Sequence, residues 1–393
     1  MRGFARREML SVPLLAMASR FVWPSPAGAE ASAAPADTNW LHYANDLANT
    51  RYAPLDQIDA GNFGDLEIAW RFRTGSLGPT PEYNLQGTPL VANGVLYATA
   101  GTRRSVVALD AETGELLWLH REEEGARAAN APRKLSGRGL GYWTDGVQER
   151  ILYVTIGYRL VALDAKTGRL VPDFGESGAV DLKLDFDQEL DPETADVGLH
   201  ATPCIVNGVV VIGAAHTPGS AQKKRGNVKG YVRGYDVRTG KRLWIFHTIP
   251  QPGEFGHDSW PDGTERIGNA GVWCQISADP ELNLVYLGVE LPTGDIVGLD
   301  RRGDGLFGES IVALDLTTGE PKRHFHTAHH GLWDWDIPCA PILCDVANEG
   351  IVKRGSRSGR YPKCRRRQGR SPANITRPPS PRPRARPPMT CRA

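Results

Sequence analysis

VVALDAETGELLW (106–118) is the stretch that decides the fold, because it returns as LVALDAKTGRLV (160–171), VRGYDVRTGKRLW (232–244) and IVALDLTTGEPKR (311–323). Each copy is an apolar run, a turn of the form Asp-x-x-Thr-Gly and a second run. Glycine supplies the positive φ that reverses the chain, and the Asp carboxylate can accept from the amides that follow it. Upstream of two copies, TPLVANGVLYATAG (88–101) and ATPCIVNGVVVIGAA (201–215) set Asn-Gly between alternating apolar residues, a second hairpin signal. Two hairpins make a four-stranded sheet. Serial repetition of such sheets, with Trp118 and Trp244 following the turn, predicts an all-β propeller rather than a sandwich or solenoid.

The repeated Asp residues stand at 110, 164, 236 and 315, so the intervals are 54, 72 and 79 residues. A compact blade needs only ~40–50. Long loops must therefore be inserted, and the segments 120–150, 172–200, 216–230 and 250–270 are where binding groups are expected, since loops on a rigid scaffold carry them.

With 44 Gly, 29 Pro and 40% hydrophobic residues in 393, the composition is that of a turn-rich globular chain. The net charge of +1 hides an asymmetry: residues 352–393 hold 14 Lys or Arg and no acid, which leaves 32 basic against 45 acidic residues, a balance of −13, in 1–351. An acidic body lacks the basic stripe that phosphate backbones require, so nucleic acid is not expected as a partner. Arg2, Arg6 and Arg7 precede an apolar stretch and Ala27-Gly28-Ala29 follows it. This reads as an export signal over 1–29, with twin-arginine character at Arg6-Arg7, and implies a periplasmic protein. No later stretch approaches ~20 uninterrupted apolar residues, so no transmembrane segment is expected. The six cysteines show no C-x-x-C spacing and no haem-attachment motif, and the first four read as buried, inert thiols.

NWLHYANDLANTRYAPLDQIDAGNFGDLEIAWRFRTG (39–75) resembles the opening segment of PQQ-dependent (quinoprotein) dehydrogenases, the turn-plus-Trp unit resembles their tryptophan-docking motif, and HTAHHGLWDWDIPCAPILCDV (326–346) is similar to their active-site strand. The likeness covers residues 37–346. It implies an eight-bladed β-propeller of which four to five blades are present, oxidising a sugar, polyol or alcohol with pyrroloquinoline quinone and Ca2+ or a lanthanide, and passing electrons to a cytochrome c or quinone. It places the catalytic base on Asp334. Asp336, two positions on and on the same side of a strand, matches the extra carboxylate of some members. Read alone, these residues would be two solvated carboxylates in a tryptophan-rich corner. Arg138 in SGRGLGYW matches the arginine facing the cofactor's carboxylates, Thr202 in HATPC a hydroxyl donor to it, and Trp260 in HDSWPDG the aromatic on which the quinone stacks, with Trp273 competing for that role. Outside the family, a surface ion pair would be the reading for Arg138.

The departures are as informative. The methanol-oxidising branch has a vicinal Cys-Cys before the arginine and a Glu metal ligand before the third turn; here GTRRS (101–105), NAPRKLSGR (130–138) and KKRGNVKGY (223–231) have neither, which places the chain nearer the glucose and polyol enzymes. The usual ligand Asn falls on Gly271, so Asn269 is taken as its replacement beside Asp334 and Asp336. His329 and His330, adjacent on a strand and so facing opposite ways, are read as wall residues. A non-enzymatic propeller that binds a partner protein, resembling the outer-membrane assembly lipoprotein of the superfamily, is the other reading; a scaffold has no need of Asp334 or Arg138. Residues 347–393, rich in Arg and Pro and without periodicity, are expected to be a disordered tail from a shifted reading frame, leaving the chain without activity of its own.

Overall fold

Asp-x-x-Thr-Gly builds the same tight turn in each copy. Asp110 Oδ1 accepts from the Thr113 amide and hydroxyl at 2.8 Å each, and the Gly114 amide returns to the Asp110 carbonyl at 2.9 Å. Asp164, Asp236 and Asp315 repeat this bonding with Thr167, Thr239 and Thr318. These turns join the third and fourth strands of four antiparallel sheets in a computed structural model that describes residues 39–218, 228–293, 298–299, 301–348 and 351–357, with side chains to Asp345. The expected export signal and the chain beyond Arg357 lie outside the described residues.

The first sheet is β1 (Leu90–Ala92), β2 (Val95–Ala100), β3 (Ser105–Asp110) and β4 (Leu116–His120), paired in that order. The second is β5 (Gly141–Thr144), β6 (Glu149–Val154), β7 (Arg159–Asp164) and β8 (Ala179–Asp181). The third is β9 (Cys204–Val206), β10 (Val209–Ile212), β11 (Val232–Asp236) and β12 (Arg242–Phe246); the fourth is β13 (Ser277–Asp279), β14 (Leu284–Gly288), β15 (Ser310–Asp315) and β16 (Pro321–His326). A hairpin follows, β17 (Ile342–Asn348) with β18 (Ile351–Arg357). Its second strand lies inside the stretch expected to be irregular: the ladder needs only backbone groups, which composition does not remove. The chain is all-β with four complete four-stranded units, and α1 (Gly125–Asn130) is the one α-helix among the described residues.

Middle strands are buried on both faces, as in β7 and β10, so neighbouring sheets pack face to face. One apolar cluster runs through the second, third and fourth sheets, and another joins the first to the second. Tryptophans lock the joints from the outer edge. Trp118 on β4 donates to the Ala165 carbonyl at 2.9 Å and lies on Gly168, where a Cβ would come within 2.4 Å of the indole. Trp244 on β12 does the same with Leu316 and Gly319, and Trp70 with Ala111 and Gly114. Across the inner edge runs the segment 40–48: Trp40 bridges Val91 of β1, the Leu47 carbonyl accepts from Ala278 of β13 and the Ala48 carbonyl from Leu343 of β17. First strands therefore converge on one side, and the loops leading into them bring distant residues together.

Candidate functional site

Arg138 is presented by a loop whose backbone is fixed from two sides. Its amide donates to the His200 carbonyl at 2.7 Å and its carbonyl accepts from the Thr88 amide at 3.1 Å. Gly137 and Gly139 both take positive φ, and a Cβ on Gly139 would approach the Thr88 carbonyl to 3.0 Å, so the loop requires glycine there. Beneath it, the buried Arg104 donates to the carbonyls of Arg133, Leu135, Val154, Thr155 and Leu199 at 2.7–3.2 Å. GTRRS, notable in sequence for its lack of cysteines, thus carries the guanidinium that ties the Arg138 and His200 loops to the sheets.

The Arg138 guanidinium carbon stands 5.1 Å from the centre of the Trp273 ring, a cation–π arrangement. His200 stacks on the same indole, centroids 6.1 Å apart and planes 12° from parallel. Burial and then the charges of Arg138, Arg133 and Arg104 press the His200 pKa down to about 2, so the imidazole is neutral. The Trp273 indole in turn donates to Asp336 Oδ2 at 3.0 Å, and the Leu291 amide donates to Oδ1 at 2.8 Å. Thr202 packs beside the Arg138 loop, where a Cβ on Gly139 would lie 3.3 Å from its methyl, and its amide and hydroxyl both donate to Gln275 Oε1, at 3.0 and 2.8 Å.

Asp336 is the most perturbed acid of the group. Burial first, then the nearby charges of Glu290 and Asp334, raise its pKa to about 8 against the two hydrogen bonds that favour the anion. Glu290 is itself buried, accepting from the Gly271 amide at 2.9 Å and facing His216 Nδ1 at 3.3 Å. Asp334 is exposed, as are Trp333 and Trp335 on either side of it. Asn269 is half-buried with φ of 55°, its amide bonded to the Val228 carbonyl and its carbonyl to the Gly230 amide.

Arg138, Trp273 and Asp336 are thus joined in one group, with Thr202 packed beside the Arg138 loop and Asp334 close enough to act on Asp336 electrostatically. Trp260 is 3% exposed, donates to the Leu306 carbonyl at 2.6 Å and packs on Gly305. Of the two histidines read as wall residues, His330 is tied to the Gly303 carbonyl at 2.8 Å and His329 is exposed. Cys204 and Cys274 are buried thiols, pushed up to about 12 by desolvation. Sequence reasoning missed His200, Gln275 and Glu290. The last had a signal, a lone carboxylate two residues past the apolar strand β14.

The residues fit a planar, acidic cofactor. A guanidinium over an indole offers a charged, flat contact, and two buried donor-capable atoms beside it, His200 Nδ1 and Gln275 Nε2, have no hydrogen-bond partner among the described residues. They also fit a cation in kind: Asp334, Asp336 and Glu290 are oxygen donors whose mutual repulsion a positive ion would relieve. Among the described residues no three such groups are already drawn together as a coordination cluster.

A family model described as "PQQ: Glucose/ethanol/alcohol dehydrogenase, beta-propeller domain" matches residues 40–354. The chain is 32% identical over 352 residues to quinoprotein glucose dehydrogenase A of Acinetobacter calcoaceticus, covering 83% of this chain and 42% of that one. It is 34% identical over 340 residues to the dehydrogenase subunit of the alcohol dehydrogenase (quinone) of Gluconacetobacter polyoxogenes, covering 80% and 42%. A solved quinohemoprotein alcohol dehydrogenase of Pseudomonas putida HK5 superposes with a TM-score of 0.64 at 30% identity, over 81% of this chain and 44% of that one. The chain spans less than half the length of the curated relatives it matches.

Proposed function

The chain belongs to the PQQ-dependent glucose/ethanol/alcohol dehydrogenase family of β-propellers, and on that footing we propose that it supplies the base and one wall of the cofactor site of an enzyme that oxidises a sugar, polyol or alcohol. The observation that carries this reading is the bonded group Arg138–Trp273–Asp336 with Asp334 beside it. When bound, pyrroloquinoline quinone would accept hydride from the substrate carbon, and Ca2+ or a lanthanide would polarise it.

The chain's own residues do the rest. Trp273 offers a face for stacking, and Arg138 a bidentate grip for a carboxylate. Neutral His200 can donate one hydrogen bond without adding charge. Thr202 and Gln275 hold each other, which leaves the Gln275 amide nitrogen to face a ligand. Asp334, exposed at the site, takes the hydroxyl proton as general base. Asp336, fixed at both oxygens, does not reorient; with Asp334 and Asn269, and Glu290 behind, it would hold the metal.

Turnover is proposed for the complete ring, to which this chain contributes the part matched in its relatives, in the periplasm and with a cytochrome c or quinone as acceptor. The test joins residues 39–346 in frame to the C-terminal remainder of the Acinetobacter calcoaceticus relative and adds PQQ and Ca2+. Dye reduction with at least one member of a sugar, polyol and alcohol panel, absent without PQQ, is expected. A soluble product that retains PQQ and turns over no donor contradicts the proposal.

A further inference from the structure

Behind the loop that carries Asp334 lie two charges that the proposed chemistry does not use. Arg301 and Glu309 are 4% and 1% exposed, with Arg301 Nη2 3.7 Å from Glu309 Oε2. Both hold the same residue. The Gly331 amide donates to Glu309 Oε2 at 3.0 Å, and the Gly331 carbonyl accepts from Arg301 Nη2 at 2.7 Å. A Cβ on Gly331 would lie 1.8 Å from Glu309 Oε1, so any side chain there would push the Glu309 carboxyl off its bond to the Gly331 amide. The grip extends along the loop: the Glu309 carbonyl accepts from the amide of Thr327 at 2.9 Å and from its hydroxyl, the Leu332 carbonyl accepts from the Gly298 amide at 3.0 Å, and His330 Nδ1 donates to Gly303 at 2.8 Å.

Taking an arginine and a glutamate out of water is costly, and an apolar pair of similar volume is often at least as stable. Packing alone therefore does not account for an arginine and a glutamate here. One carboxylate oxygen of Glu309 and one guanidinium nitrogen of Arg301 take the amide and the carbonyl of the same residue, which an apolar pair cannot do. Glu309 and His330 also hold left-handed backbone, φ of 49° and 53°, a conformation that persists where surrounding contacts over-determine it.

We propose that Arg301 and Glu309 are positioning residues that clamp the peptide at Gly331 and thereby set the direction in which Asp334, three residues on, enters the site. The proposal rests on the assignment of Asp334 and Asp336 to the cation site. It requires that shifting the clamp weaken cation binding without touching a ligand, as loss of an outer support does at metal sites.

Terbium(III) is the probe, added to the full chain and read by luminescence sensitised through the neighbouring indoles. Glu309→Asp keeps the charge and withdraws the acceptor from Gly331; Glu309→Gln keeps an acceptor oxygen in place; Arg301→Met with Glu309→Leu removes both charges together. Glu309→Asp and the double variant should bind terbium about 10-fold or more weaker, while Glu309→Gln stays within about three-fold of the parent. Parent-like affinity in Glu309→Asp, with Asp334→Asn clearly weakened, overturns the clamp. Unchanged binding in Asp334→Asn sinks the cation assignment instead. In that case amide exchange decides the clamp: acceleration confined to 327–334 in Glu309→Asp and absent in Glu309→Gln upholds it, and identical exchange in all three proteins overturns it.

Discussion

Glu309 shows at the scale of one side chain which of two opposing effects wins. Burial raises its pKa from 4.5 to about 7, although the Arg301 charge and the Gly331 amide favour the anion; the Asp334 charge adds to the rise. Between those two values the folded chain keeps a proton that the unfolded chain has released, so the contribution of this group to stability is intact below pH 4.5 and is lost as pH rises through 7. Glu309→Gln, which cannot ionise, should flatten the decline of the thermal midpoint over that window. An unchanged slope would mean that Glu309 is ionised in the folded protein. At this scale Arg138, Asp334 and Asp336 were legible because each sits in a motif of contiguous residues. His200, Glu290 and Glu309 were not, since a buried charge or a stacked imidazole is defined by partners far away in sequence: Glu290 acts on Asp336, and Arg104 bonds Leu199. Trp260 and Trp273 look alike in sequence; hydrogen bonding separates them, one to Leu306 and one to Asp336.

Among elements, the unit of cohesion is the indole of one sheet lying on the turn glycine of the next. Gly168 has φ of +67° and no room for a methyl group beneath Trp118. Gly168→Ala should cost about 2–4 kcal/mol from left-handed strain and overpacking together. Trp118→Ala should cost about 3 kcal/mol, at the low end for such truncations because the indole is half-buried. The two must not add: without the indole, Gly168→Ala should retain only its backbone strain, a coupling of roughly 1–3 kcal/mol in a urea-unfolding cycle. Additive values would remove the docking contact from the account of stability. The tryptophans that follow Asp110 and Asp236 announced two of these joints. The joint between the second and third sheets was silent because no tryptophan follows Asp164; there the Gly175 amide bonds the Thr239 carbonyl at 2.8 Å and Val180 fills the space over Gly240. Backbone-to-backbone contact leaves no mark in side-chain pattern.

For the molecule as a whole, repetition made the architecture legible while the insertions between strands concealed the site. The four sheets bring first strands and their preceding loops to one side, and only there do Arg138, Trp273 and Asp336, spread over about 200 residues of chain, become neighbours, with Thr202 against the Arg138 loop. Direct support for this account would come from one variant measured two ways. In the ring completed from the Acinetobacter calcoaceticus relative, Asp334→Asn should retain PQQ in equilibrium dialysis within a few-fold of the parent, because Arg138 and Trp273 still hold it. Its dye-linked turnover should fall by about 10²–10⁴-fold, since the group that accepts the hydroxyl proton is gone. Turnover within a few-fold of the parent, with PQQ still bound, would contradict the assignment of Asp334 as the base.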